Sequence, residues 1–404
     1  MSQSKWLGMM GVSILLLASS VALRADDDGV KTVFVIAMEN HNWTQPANPF
    51  GPGVQQIYLN PNAPFINSLV NGTAVVKIDG HDVNISKQVS YAEAYHNALA
   101  TPSGNNPHIH PSEPNYLWAE AGTNFGVFND NDPFSLSGAT NQATNQHLVS
   151  FLTKAGKSWK SYQEDIDLTL NSSAQLTNVV LPKDQWTVPL ASHSGVFALG
   201  SVNAYNGSNQ FNYAAKHNPQ VFFTDSNGGD DTTPSNSLSH QYAPLQQLAI
   251  DLAKGKVADY NWITPDQYND MHTGLAAGYQ GLTGDASNIK QGDDFLKQII
   301  PMIMASEAYK NNGVIIIWWD ESEQDGTLND NPDDFTHTVG EIVISKLARE
   351  NNGVPYASPV NFSHSSDLKT MEEIFHLGAI LGDAVNATDL SDLFKPEGIP
   401  GKDE

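Results

Sequence analysis

Thr32-Val33-Phe34-Val35-Ile36-Ala37-Met38 is an unbroken β-branched and apolar run that passes directly into Glu39-Asn40-His41-Asn42. It shows no apolar/polar alternation, so both faces of such a strand are expected to be buried, as in the interior of a parallel sheet. Gly313-Val314-Ile315-Ile316-Ile317-Trp318-Trp319 repeats the pattern and passes into Asp320-Glu321-Ser322-Glu323. Shorter strand candidates are Gln220–Phe223, Asp259–Ile263 and Gly340–Ser345. Helical periodicity marks Phe65–Asn71, Thr144–Ala155, Gln241–Ala253, Asp293–Asn311 and Ser365–Leu377. Strands alternating with helices predict an α/β fold, a central mainly parallel sheet flanked by helices on both faces. The Asn-, Ser-, Gly- and Pro-rich intervals 81–143 and 165–240 read as long loops on that scaffold.

Composition narrows the function classes. The chain has 404 residues, 40% of them apolar and 16% charged, with 31 Gly and 22 Pro, which excludes collagen, coiled coil and bulk disorder. It contains no cysteine, so disulfide frameworks, zinc–thiolate sites, iron–sulfur clusters and thiol nucleophiles are excluded. Acids outnumber bases 44 to 20, a net charge of -24, so sequence-independent binding to nucleic acid or to an anionic membrane is not expected. Residues 1–25 carry an early Lys5, an apolar stretch from Trp6 to Leu23, and Leu23-Arg24-Ala25 before three aspartates. This reads as a secretory signal peptide, with an uncleaved anchor as the alternative. No later stretch is long and apolar enough to span a membrane. The expectation is a secreted or periplasmic protein whose residues 26–404 form a single domain.

In sheets of this kind ligands bind beyond the carboxyl ends of the strands. Two apolar strands each deliver a carboxylate and a second oxygen ligand there, as Glu39-Asn40 and Asp320-Glu321. Three carboxylates in contact repel unless a cation lies between them. Oxygen ligands suit Mg, Ca or Mn, with Fe or Zn admissible if a histidine joins. Polar residues after a strand also serve as helix caps and turn formers, which is the plainer alternative. Between two prolines, in His108-Ile109-His110-Pro111-Ser112-Glu113-Pro114-Asn115-Tyr116, Ser112 precedes an expected helix Asn115–Ala121. Its hydroxyl is either a helix cap or lies among free backbone N–H groups where an anion is favoured. Asp270 and His272 follow the Asp259–Ile263 strand, His364 precedes an amphipathic helix, and His337 precedes Gly340.

Taken in order, these pieces resemble the phosphoesterase family of bacterial acid phosphatases and phospholipases C, within the alkaline-phosphatase superfamily. The segments that carry the resemblance are Val35–Asn42, His110–Tyr116 with Gly122–Phe128, Ala155–Glu164, Ala214–Phe223, Trp262–His272, Val314–Glu321 and His364–Leu377. The resemblance implies a divalent metal ion on Glu39, Asn40, Asp320 and Glu321, with Ser112 as the nucleophile and a further ligand. It also implies His110, His272 and His364 as catalytic groups on the transferred phosphate and the leaving alcohol. The expected reaction is hydrolysis of phosphate monoesters through a phosphoserine. Substrates would be small phosphorylated molecules or a phospholipid headgroup, with no nucleic-acid scaffold. Phosphodiester cleavage and an inactive binding protein are the alternatives. The acidic insertion Gln324–Phe335 departs from the family pattern and leaves the role of His337 open.

Overall fold

The computed structural model describes residues 29–45, 54–97, 109–323 and 337–400. The expected leader, residues 1–25, and the insertion Gln324–Phe335 lie outside them.

Both decisive strands form where their composition places them, at Thr32–Met38 and Gly313–Trp319. They pair in parallel along their full length, from Thr32 opposite Gly313 to Met38 opposite Trp319. Tyr260–Thr264 pairs in parallel on the other flank of Thr32–Met38, followed by Trp159–Gln163 and then Tyr242–Pro244. Beyond Gly313–Trp319 the direction changes. Glu341–Ser345 is antiparallel to it, and Val89–His96 is antiparallel to Glu341–Ser345. Val354–Ser363 then pairs in parallel with Val89–His96. The result is an eleven-stranded mixed sheet whose parallel block runs from Tyr242–Pro244 to Gly313–Trp319.

Partners in a parallel pair share a face, so Met38 and Trp319 look one way while Ala37 and Trp318 look the other. The first face meets the helix Asp285–Met304, which packs on Pro64–Val70. Close approach there requires Gly292, because a Cβ would lie 2.3 Å from Met271 Cγ and 2.9 Å from Met38 Cε. The second face meets the mutually packed helices Ser112–Ala121, Leu148–Lys154 and His364–Ile374. Trp318 packs there on Trp262, Tyr116 and His364. One contiguous apolar core runs through these layers from Val30 to Ile399.

Several elements differ from the sequence expectation. Gln220–Phe223 is not a strand but part of the 3₁₀ turn Pro219–Phe222, since Pro219 opens a helical turn and cannot donate to a ladder. The long helix starts at Asp285, eight residues earlier than its apolar periodicity, and stops at Met304. Ser306 then caps a separate turn, Glu307–Lys310, by accepting from the Tyr309 N–H. Val89–His96 lies in an interval read as loop, and Val354–Ser363 has no sequence counterpart among the expected strands.

Candidate active site

Three neighbouring strands end at one place, and main-chain hydrogen bonds lock their ends together. The Asp320 N–H donates to the Met38 carbonyl (3.2 Å), and the Glu39 N–H donates to the Asp270 carbonyl (2.8 Å). The Asn40 N–H donates to Asp320 Oδ1 at 3.0 Å. In an extended chain residues 39 and 40 would point to opposite faces. Asn40 instead sits at φ 36°, in the left-handed region that Asn tolerates. Both side chains therefore turn toward the same hydroxyl.

That hydroxyl is Ser112. The helix starts at Ser112 with Pro111 as its N-cap, and no side chain caps it, so the serine is not a cap. Its Oγ lies 3.0 Å from Glu321 Oε1, 3.3 Å from Glu39 Oε2 and 3.4 Å from Asn40 Oδ1, and the residue is buried. A hydroxyl carries one proton and satisfies one acceptor at a time. Three acceptors around it, two of them carboxylates, are thus a cluster that a cation would hold together. The Asn40 amide makes the same point. With its oxygen inward it meets only acceptors, whereas reversed its NH₂ would donate to Glu39 Oε2 at 2.8 Å and Asp320 Oδ1 at 3.1 Å. Oxygen inward suits a bound cation, and NH₂ inward suits bare carboxylates.

The other oxygen of Glu39 faces a second group. Tyr116 donates a short hydrogen bond to Glu39 Oε1 and stacks on His217, with ring centroids 5.1 Å apart. His217 Nε2 is 3.2 Å from Glu39 Oε1, and its Nδ1 is 3.4 Å from Asp270 Oδ2. These are ion-pair distances without hydrogen-bond geometry, so both ring nitrogens and Asp270 Oδ2 lack a hydrogen-bond partner among the described residues. Ligand atoms of Glu39, His217 and Asp270 lie within 4.8 Å of one another. Burial, then the Asp320 and Asp270 charges, push Glu39 up, and burial with Glu321 does the same to Asp320. Burial and Lys216 push His217 well down, so its ring is neutral. Crowded carboxylates beside a neutral imidazole with unpartnered atoms are a donor set that fits a divalent cation.

The expected residues fall in different places. Glu39, Asn40, Asp320, Glu321 and Ser112 come together. His110 sits on the same cluster, its Nδ1 2.6 Å from Glu321 Oε2. His364 is buried, with Nε2 2.5 Å from the Asp320 carbonyl oxygen and Nδ1 2.8 Å from the Tyr95 hydroxyl. Its ring thus lies against the Asp320 main chain, with the Trp318 indole N–H also 2.9 Å from Nδ1. His272 is partly buried, 6.1 Å ring to ring from His217, and its N–H donates to Asp270 Oδ1 at 2.8 Å. Burial, then Lys216, push it down to about 4. His337 is buried one residue before Thr338–Val339, the strand that pairs with Asn42–Thr44. The sequence reading passed over Lys216 and His217. Their signal was the Lys-His-Asn-Pro junction at 216–219, where a basic pair ends one turn and a proline opens the next.

Parts of the chain are similar to proteins of known name. The chain is 25% identical over 297 residues to the "Probable acid phosphatase" of Kluyveromyces lactis, covering 70% of this chain and 55% of that protein. It is 25% identical over 336 residues to the phosphatidylinositol-3-phosphatase of Mycobacterium tuberculosis, covering 83% and 77%. The chain spans about half the length of the first of these relatives. Among solved structures, the lipoteichoic acid synthase LtaP of Listeria monocytogenes overlays with a TM-score of 0.44 at 9% identity, covering 89% of this chain and 77% of that one. The family model named Phosphoesterase matches residues 87–378, most of the chain and the segment that carries Ser112, His217, Asp270, Asp320 and Glu321, and the chain belongs to the Phosphoesterase family.

Proposed function

We propose that this protein is a phosphoric-ester hydrolase acting on phosphate monoesters, with Ser112 as its nucleophile. The observation that carries the reading is the Ser112 hydroxyl held within 3.0–3.4 Å of acceptors from two separate strand ends. Glu39, Asn40, Asp320, Glu321 and Ser112 would hold a divalent cation, with His217 and Asp270 as further donors. Such a cation would offset the carboxylate charge and lower the pKa of the serine hydroxyl.

Ser112 Oγ forms a bond to phosphorus as the ester P–O bond breaks in line, and the alcohol leaves with a proton. Water then attacks the phosphoserine, giving inorganic phosphate and restoring the hydroxyl. His110, whose side chain is 22% exposed beside Glu321, would supply the proton to the leaving oxygen. His272, held neutral, fits orientation of the phosphate better than proton donation. The relatives are phosphatases by name, which favours a monoester over a diester. An exported location, implied by the residues 1–25 pattern, belongs to the same proposal and rests on sequence alone.

The test is turnover of p-nitrophenyl phosphate beside its bis-ester. Ser112→Ala is expected to lower kcat on the monoester by about four orders of magnitude or more without loss of fold. A folded Ser112→Ala protein that keeps most of its activity would remove the nucleophile and the mechanism with it.

A further inference from the structure

The site gathers Glu39, Asp270, Asp320 and Glu321 in a chain of net charge -24, and its proposed substrate is an anion. Acid crowding of this kind repels a phosphate at every distance shorter than the screening length. A fixed cationic side chain at the mouth would change that, and the residue in position is Lys216.

Lys216 directly precedes His217, on the 3₁₀ turn Ala215–His217, and its side chain is only 13% exposed. Its charge acts on Glu39, Asp320 and Asp270. The ammonium is not loose. Its Nζ donates to Asp130 Oδ2 at 3.0 Å, while Asp130 Oδ1 accepts from the Glu113 N–H at 3.1 Å. Glu113 is the residue after Ser112, and its N–H is one of the free donors in the first turn of the serine's helix. One carboxylate therefore ties the lysine to the backbone beside the nucleophile, which fixes where the ammonium stands. An ammonium has three N–H donors, and among the described residues only Asp130 engages one. Covering a lysine this far costs solvation, and the charges of Glu39, Asp130 and Asp320 offset that cost, so the ammonium stays charged. Two further N–H donors with no acceptor among the described residues, on a tethered point charge, are what a phosphate oxygen accepts.

We propose that Lys216 binds the substrate's phosphate as a fixed cationic clamp and that Asp130 is its positioning residue. The proposal rests on the phosphoesterase reading, so its test uses a readout that does not need turnover. That readout is binding of inorganic phosphate to the full-length metal-loaded protein by isothermal titration calorimetry, beside steady-state kinetics on p-nitrophenyl phosphate.

Lys216→Met is expected to weaken phosphate binding at least ~10-fold and to lower kcat/KM by ~100-fold, in the range seen for loss of one charged phosphate or oxyanion contact. KM should rise along with the fall in kcat. Lys216→Arg should restore most of the binding. Asp130→Asn leaves the Lys216 charge in place but loosens the tether, so KM and the phosphate dissociation constant should rise by about 3- to 10-fold with a smaller change in kcat. If Lys216→Met fails to fold, the Arg and Asn variants decide. Unchanged phosphate binding in folded Lys216→Met, or, where that variant does not fold, in Asp130→Asn, overturns the clamp. If the wild type binds phosphate through Lys216 yet turns over no phosphoester, the clamp stands and the hydrolase reading falls.

Discussion

Two buried acid clusters lie side by side in this molecule, and they solve the same problem in opposite ways. Around Ser112, Glu39, Asp320 and Glu321 converge with few donors, and His217 and Asp270 Oδ2 are left without hydrogen-bond partners among the described residues. In the neighbouring cluster, ligand atoms of Glu164, Asp165 and Asp266 also lie within 4.8 Å of one another. There the donors are supplied. Glu164 accepts from Asn203 (2.7 Å), from Asn269 (2.9 and 3.0 Å) and from the Asp266 N–H (2.9 Å). Asp165 accepts from the Asn212 N–H, and Asp266 accepts from the Tyr268 and Asn269 N–H groups. Both clusters have ligand atoms close enough for a cation, and they differ in donor supply. On the proposed function, the supply of N–H donors would decide whether the charge is met by hydrogen bonds and protons or is left for a cation.

The largest difference between the two should appear on metal removal. Dialysis against a chelator is expected to lower phosphoester turnover at least ~100-fold, with recovery on adding back a divalent cation. Elemental analysis localises the ion. Asp320→Asn should lose it, and Asp266→Asn should keep it at wild-type stoichiometry. Retention in the first variant and loss in the second would exchange the roles of the two clusters.

Stability should show the reverse ranking. Asp266→Ala removes a carboxylate acceptor shared by two backbone N–H groups in the turn that leads to Asp270; the Tyr268 N–H is left buried without a partner, while the Asn269 N–H keeps the Asp266 carbonyl. The expected loss is about 3 kcal/mol in denaturant unfolding, in the range for breaking a buried hydrogen-bond network. Turnover should fall less than in Asp320→Asn. Equal losses of activity in both variants would mean that the second cluster belongs to the reacting centre.

How much of this was legible in the chain follows from the range of the interactions. Thr32–Met38 and Gly313–Trp319 announced themselves because a strand buried on both faces needs an uninterrupted apolar run, and their polar ends followed at fixed positions. Glu39, Asn40, Asp320 and Glu321 could be read as one group for that reason. Ser112 needed its surroundings, since a serine at a helix start looks the same whether it caps or reacts. Val89–His96 escaped because Ser90, Glu93 and His96 break its apolar pattern. It pairs with strands more than 240 residues later, a contact that no local window contains. Lys216 and His217 escaped for a similar reason. Their meaning lies in Glu39, Asp130 and Asp270, which only the fold brings to them.

The smallest effect is a slope. Burial pushes Glu164 up to about 8 and Asp165 up to about 6, and it raises Asp266 as well. In the unfolded chain these groups titrate near ~4. Between the two ranges the folded protein holds more protons than the unfolded one, so its stability falls as pH rises. The contribution is complete near pH ~4 and is lost as pH climbs through about 6 to about 8. Glu164→Gln fixes the neutral form, keeps an acceptor for the asparagines and removes one proton from the linkage. With metal held saturating, unfolding free energies at a series of pH values should decline less steeply in this variant, by up to one proton's worth of slope, ~1.4 kcal/mol per pH unit. Parallel curves for variant and wild type would mean that Glu164 is ionised throughout. The hydrogen-bonded cluster would then carry the same uncompensated charge as the one around Ser112, and donor supply would no longer separate them.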